Sequence, residues 1–272
     1  MNRIDTRFGQ LASTGRKALV PFITVGDPSL EATVPIMHAL VAAGADVLEL
    51  GVPFSDPMAD GPTIQRSSER ALSKGAGLSF VLECVRRFRE TDAQTPVVLM
   101  GYLNPVEIRG AKRFAADATA AGVDGVLLVD LPPEELAGFS REFKEHGLAL
   151  ILLAAPTTTD ARMALLCDAA QGYLYYVSFA GVTGADQLDS GAAGKRLRDI
   201  RARSEVPVVA GFGIKDAKSA AAMAIDADGV VVGSALVAVL AEATDPVDAA
   251  ARAGAFLAPL RSALGEGAGA LR

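Results

Sequence analysis

Short apolar runs recur along the chain at residues 18–24, 47–50, 97–100, 125–129, 148–153, 173–177, 206–210 and 229–232. Each is continuously apolar rather than alternating, the pattern of a parallel strand covered on both faces. Between them, polar and apolar positions follow a helical period over 30–43, 63–74, 80–89, 106–121, 133–146, 160–169, 195–203 and 215–225, and a last helix spans 247–264. Eight strands with intervening helices predict an α/β chain, a single (β/α)8 barrel over residues 1–272. A doubly wound open sheet is the runner-up, but no G-x-G-x-x-G follows the first strand. Within residues 1–13 an extra helix, 4–12, is placed to plug the barrel bottom, and the Gly-rich stretch 265–272 reads as a frayed tail.

Three helix-to-strand joints resemble one another: A-G-A-D-V-L-E-L at 43–50, A-G-V-D-G-V-L-L at 121–128 and D-A-D-G-V-V-V at 226–232. The expectation is that glycine ends each helix and lets the next strand start at once. No linker divides the chain.

Composition narrows the function. Half of the 272 residues are hydrophobic, and the net charge of −6 without a basic run argues against nucleic acid. No apolar run approaches the roughly 20 residues that span a bilayer, and the N-terminus lacks a signal-peptide core, so a cytoplasmic protein is expected. Cys84 and Cys167 fall in helical stretches and imply no disulfide. His38 and His146 are the two histidines, also helical, which makes a His/Cys metal site improbable.

The chemistry of a barrel gathers at the C-terminal ends of its strands. Strand two carries Glu49 inside an apolar run, then breaks at Gly51 into a loop with Asp56, Asp60, Pro53, Pro57 and Pro62. A carboxylate inside an apolar strand is costly unless it meets a cavity or a partner. Strands seven and eight end in Gly211-Phe212-Gly213 and Gly233-Ser234, where backbone N–H groups and a helix N-terminus suit a phosphate. Gly184 adds a third edge from the strand-six loop. No strand holds a lysine for a Schiff base, and the strand ends lack the imidazoles of a metal aldolase. Glu49 and Asp60 remain, with Tyr175 and an apolar lining from Phe22, Ile64, Met100, Leu127 and Phe212. Carboxylates in such surroundings transfer protons, because desolvation raises their pKa.

The stretch L-E-L-G-V-P-F-S-D-P-M-A-D-G-P-T-I-Q at 48–65 resembles the signature of the tryptophan synthase alpha subunit family. F-I-T-V-G-D-P, M-G-Y-L-N-P, V-D-L-P-P, Y-x-V-S-x-x-G-V-T-G, G-F-G-I and V-V-G-S-A match that family in order, over nearly the whole chain. The resemblance implies a lyase that cleaves indole-3-glycerol phosphate to indole and glyceraldehyde 3-phosphate without a cofactor of its own. It implies catalytic acids at Glu49 and Asp60, a supporting Tyr175, a loop threonine at Thr183 and a phosphate cradle of Gly184, Gly213, Gly233 and Ser234. Met58, where leucine is usual, and Phe179 in the mobile loop depart from better-known members. The resemblance further implies a pyridoxal-phosphate-dependent beta subunit in an αββα assembly, with that cofactor on the partner. Asp56, Asn104 and Pro132 share the barrel's top face and are the expected contacts. A lyase active without a partner, and a phosphate-binding barrel without turnover, stay open as alternatives.

Overall fold

Strands apolar on both faces need a cover on each side, and barrel closure supplies side chains inside and helices outside. The computed structural model describes residues 2–177, 190–211 and 213–266. Its strands are β1 (Ala18–Thr24), β2 (Leu48–Gly51), β3 (Val97–Gly101), β4 (Gly125–Leu128), β5 (Ala149–Ala154), β6 (Leu174–Val177), β7 (Val208–Gly211) and β8 (Gly229–Val232). They pair in parallel in chain order, and β8 closes onto β1. Outside lie α1 (Arg3–Ser13), α2 (Thr33–Ala42), α3 (Pro62–Ser73), α4 (Leu78–Arg89), α5 (Leu103–Arg109), α6 (Ala111–Ala121) and α7 (Leu136–Glu145). They are followed by α8 (Asp160–Ala169), α9 (Ser190–Arg203), α10 (Ala217–Ala224), α11 (Ser234–Ala241) and α12 (Pro246–Glu266).

Beside small shifts at many element ends, three differences from the sequence expectation have a visible cause. The helix expected over 106–121 is two helices, broken at Gly110, whose φ of +83° only glycine adopts without strain. Strand β7 begins at Val208 rather than 206, since Pro207 has no N–H to give to a ladder. Helix α12 runs to Glu266, so residues 265–266 of the expected tail are helical, with Leu260 and Leu264 buried beneath the last turns.

Side chains alternate across each strand, which splits the core in two. Leu48, Leu50, Val97 and Leu99 face the helices. Val20, Phe22, Val98, Leu127, Ile151, Tyr173 and Tyr175 fill the barrel, and α1 seals its bottom with Ile4, Phe8 and Leu11.

The repeated joints prove to be an arginine–aspartate device. Gly44 and Gly122 lie at φ +99° and +93°, and a Cβ on either would crowd Arg261 or Arg89. Those arginines cross the glycines to reach the aspartate two residues on. Arg261 donates to Asp46 at 2.7 Å, and Arg89 to Asp124 at 2.8 Å. Each aspartate also accepts a backbone N–H from the adjoining strand, Leu19 at 3.0 Å and Val97 at 2.8 Å. At the third joint Asp228 does the same with Arg201 and Val208 N–H. Gly229 opens β8, as the apolar run 229–232 implied, rather than ending a helix as the other two glycines do, and a Cβ there would overlap Ala18.

Candidate active site

Alternation along β2 turns Leu48 and Leu50 outward and Glu49 inward, opposite Phe22 on β1 and Val98 on β3. Glu49 is fully buried. The Tyr173 hydroxyl donates to its Oε1 at 3.3 Å, and Oε2 has no hydrogen-bond partner among the described residues. Burial pushes the Glu49 carboxyl up to about 7, opposed by the Tyr173 hydrogen bond. A carboxyl so placed exchanges protons close to neutrality. Tyr175 lies in the same interior, and its own pKa is raised by burial and by the negative charge of Glu49. A Cβ on Gly211 would overlap the Tyr175 hydroxyl, so this glycine makes room for the ring rather than for an anion as the sequence suggested.

Asp60 closes the loop between β2 and α3. Two tight turns shape that loop, Met58 N–H to Asp56 C=O at 2.8 Å and Asp60 N–H to Pro57 C=O at 3.0 Å. The Tyr102 hydroxyl donates to Asp60 Oδ2 at 3.1 Å while accepting the Ala59 N–H at 3.0 Å. Gln65 on α3 donates to the Asp60 carbonyl at 2.8 Å. Burial raises the Asp60 pKa, with the Tyr102 hydrogen bond opposing it. Phe54 stacks on Tyr102 with centroids 5.0 Å apart, which fixes the ring that holds the acid.

Between the ends of β1, β2, β3 and β4 lies a narrow cleft, partly open to solvent. Phe22, Ile64, Met100 and Val129 form its apolar walls, and Asp60, Thr24 and Ser68 its polar ones. Leu127, also expected as a wall, is fully buried deeper in the barrel. Glu49 does not line this cavity either; its carboxylate is held by Tyr173 in the barrel interior.

On the other side of the mouth, Gly213 adopts φ +68°, and Gly233 caps α11, whose first residue is Ser234. Both are fit for backbone N–H donation to an anion. Gly184, Thr183 and Phe212 lie outside the described residues, as does Phe179. Asp56 and Asn104 are exposed, and Pro132 is half-buried in the turn before α7.

Sequence reasoning missed Tyr102, Tyr173 and Thr24 as site residues. Tyr102 ends M-G-Y, a visible strand end, but nothing local shows that it reaches 42 residues back to Asp60. Thr24 extends the inward parity of Val20 and Phe22, and its buried hydroxyl is without a partner among the described residues. Among those residues no group of three His, Cys, Asp or Glu is placed to hold a metal ion, and no helix is long and apolar enough to cross a membrane.

Fold and site together define the class: a (β/α)8-barrel enzyme with a buried, near-neutral carboxyl on β2 and a second acid in the loop that follows. The chain belongs to the tryptophan synthase alpha chain family, whose model matches residues 8–263. It is 72% identical over 268 residues to the tryptophan synthase alpha chain of Xanthomonas axonopodis pv. citri (strain 306), covering 98% of this chain and 100% of that one. Among solved structures, tryptophan synthase subunit alpha from Legionella pneumophila str. Paris superposes with a TM-score of 0.91 at 48% identity, over 98% of this chain and 99% of that one. A chain of the tryptophan synthase a2b2 complex from the hyperthermophile Pyrococcus furiosus, described for its mutual activation, superposes at 0.84 with 38% identity, over 91% and 99%.

Proposed function

We propose that this chain, working as one barrel domain in the cytoplasm, cleaves indole-3-glycerol phosphate to indole and glyceraldehyde 3-phosphate, with Glu49 and Asp60 as its catalytic acids. The observation that carries the assignment of roles is the contrast between the two carboxyls. One is dry, protonated to about half near neutrality and buried in the barrel; the other is oriented at the cavity wall by a tyrosine.

Breaking the C3–C3′ bond directly would leave an unstabilised carbanion. Protonated Glu49 first gives its proton to ring C3, and positive charge develops at N1 beside the Asp60 carboxylate. The Glu49 carboxylate then takes the proton of the C3′ hydroxyl. The C3–C3′ bond breaks, its electrons return to the ring, and Glu49 ends protonated as it began. Because its carboxylate rests against Tyr173, Glu49 rotates toward the cavity to do this. Phe22, Ile64 and Met100 hold the ring, and Tyr175 borders the path of Glu49. Gly213, Gly233 and Ser234, joined by Gly184, take the phosphate and set the register of the reacting bond.

The partner is the beta subunit, in an αββα assembly, and the pyridoxal phosphate of the combined reaction belongs to that subunit. Exposed Asp56 and Asn104, with the Pro132 turn, form the docking face. Exposed Met58 and Ile108 add apolar area beside Asp56 and Asn104. Docking favours closure of the strand-six segment with Thr183 toward Asp60.

Asp60→Asn is expected to cut kcat for indole release by about 10²-fold or more, since an amide cannot balance charge at N1. Single-turnover indole formation at saturating substrate is the measurement, and activity within about tenfold of the parent removes Asp60 from the mechanism. Gly213→Val forces a β-branched residue into a positive φ at the anion's approach. Affinity for glycerol 3-phosphate should fall while affinity for indole changes little; equal losses for both ligands would place this turn elsewhere.

A further inference from the structure

Helix α3 brings three groups to the cavity. Asp60 precedes its first residue by two positions and is tied to it through Gln65, while Ile64 and Ser68 line the wall. Yet α3, though it packs on α11 and β1, buries few large apolar side chains. Its buried residues are Ser67, Ser68 and Ala71, whereas neighbouring α4 buries Val81, Leu82, Cys84, Val85 and Phe88. An inward face built largely of serine and alanine gains less from packing than one of leucine and valine, so polar contacts weigh more in setting its position.

Those contacts converge on Asp27, in the loop after β1. Its side chain is 2% exposed. Arg70 of α3 grips it with both arms, Nε to Oδ1 at 2.8 Å and Nη2 to Oδ2 at 2.7 Å. The Ser67 hydroxyl, one turn earlier on the same face, donates to Oδ2 at 2.7 Å. The loop carrying Asp27 is itself anchored, with Gly26 N–H bonded to the Thr33 hydroxyl at 3.0 Å and Lys74 at the far end of α3 bonded to the Pro28 carbonyl. Two parallel N–H···O bonds fix orientation as well as distance, which a single ion pair does not.

We propose that Asp27 is a positioning residue: by clamping Arg70 and Ser67 it sets α3, and through α3 it sets Asp60, Ile64 and Ser68 against the substrate's ring. The inference rests on the assignment of Asp60 above. The phosphate end of the mouth is built from the β7 and β8 ends and α11, so the clamp acts directly on the ring end of the substrate and reaches the anion only through the packing of α3 on α11.

The test is Asp27→Asn, with Ser67→Ala as a milder variant and Arg70→Lys as the conservative one, in the assembled complex with the beta subunit. Misplacement of the reacting groups by an ångström is expected to lower kcat by about 10- to 100-fold for Asp27→Asn. The dissociation constant for glycerol 3-phosphate should stay within about twofold of the parent, and Arg70→Lys, which keeps the charge but loses the fork, should fall between the parent and Asp27→Asn in kcat. An unchanged kcat overturns the inference, as does a loss of glycerol 3-phosphate affinity in step with kcat, which marks general damage. Should Asp27→Asn fail to fold, Ser67→Ala decides: a fall in kcat with anion binding intact supports the clamp, and no fall sinks it. Asp60→Asn assayed alongside separates the two readings. If it is inactive while Asp27→Asn is not impaired, only the clamp is wrong; if Asp60→Asn is active, the assignment of Asp60 and the clamp fall together.

Discussion

Glu49→Gln is expected to lower kcat for indole release by about 10²- to 10⁴-fold, the usual range for one positioned acid–base group, and to raise stability at alkaline pH. The first effect follows because the amide can neither deliver a proton to C3 nor accept one from the hydroxyl. The second follows from linkage. The carboxyl titrates at 4.5 when solvated and about 7 in the fold, so between those values the folded state binds the extra proton. Stability therefore falls as pH rises through this window and is lowest, on this account, above about 7. Gln does not titrate, so the variant's advantage over the parent should grow by roughly 2–3 kcal/mol between pH 5 and 8, from a little under two effective units at 1.36 kcal/mol each. Urea unfolding at several pH values measures it. A difference independent of pH would mean that Glu49 is solvated and that its value as an acid near neutrality is lost. The same shift predicts that the parent's kcat/KM declines above about pH 7, as the proton needed for the first step is lost.

Asp124→Ala should be the most damaging single change away from the mouth. The side chain, 4% exposed, accepts from Arg89, Arg3 and the Val97 N–H. Removing it leaves the Arg89 guanidinium, 11% exposed, without its buried counter-charge and the amide at the start of β3 without an acceptor. Breaking one side of a buried pair costs about 3–5 kcal/mol. Asp117→Ala is the control, because the Arg109–Asp117 pair is far more solvated than Asp124 and is expected to be worth about 1 kcal/mol. Urea midpoints compare the two at constant denaturant slope. A loss for Asp124→Ala no larger than the control's would show that the joint is held by its glycine geometry and strand packing, and not by the carboxylate.

Much of the barrel was legible in the chain because burial on both faces writes itself locally. Residues that form β1, β8 and α8 were delimited to the residue, and other boundaries mostly shifted by one to three positions. The split of α5 from α6 was not legible, since the helical period runs on through Gly110 from Val106 to Phe114 and Ala118, and only the φ of Gly110 marks the break. The A-G-x-D joints were visible as a repeat. Gly44 and Gly122 do end their helices as expected, but the arginine that completes each joint was not legible, because it comes from elsewhere in the chain: Arg261 meets Asp46 across 215 residues, and Arg89 meets Asp124 across 35.

Glu49 and Asp60 stood out by themselves, one as a charge inside an apolar strand and the other in a proline-stiffened acidic loop. Composition and local periodicity suffice for that, since both report the cost of burying a charge and the stiffness of a short segment. Their surroundings were decided by closure of the barrel. Register and strand parity turn Tyr173 inward beneath Glu49, 124 residues away, and bring Tyr102 to Asp60 and Arg70 to Asp27 across 42 and 43. A hydrogen bond depends on where two side chains meet, and that is fixed only once eight strands share one axis. The proton affinity of Glu49 is a property of the same closure: the residue supplies the carboxyl, and the dry interior that lifts it to about 7 exists only in the folded barrel.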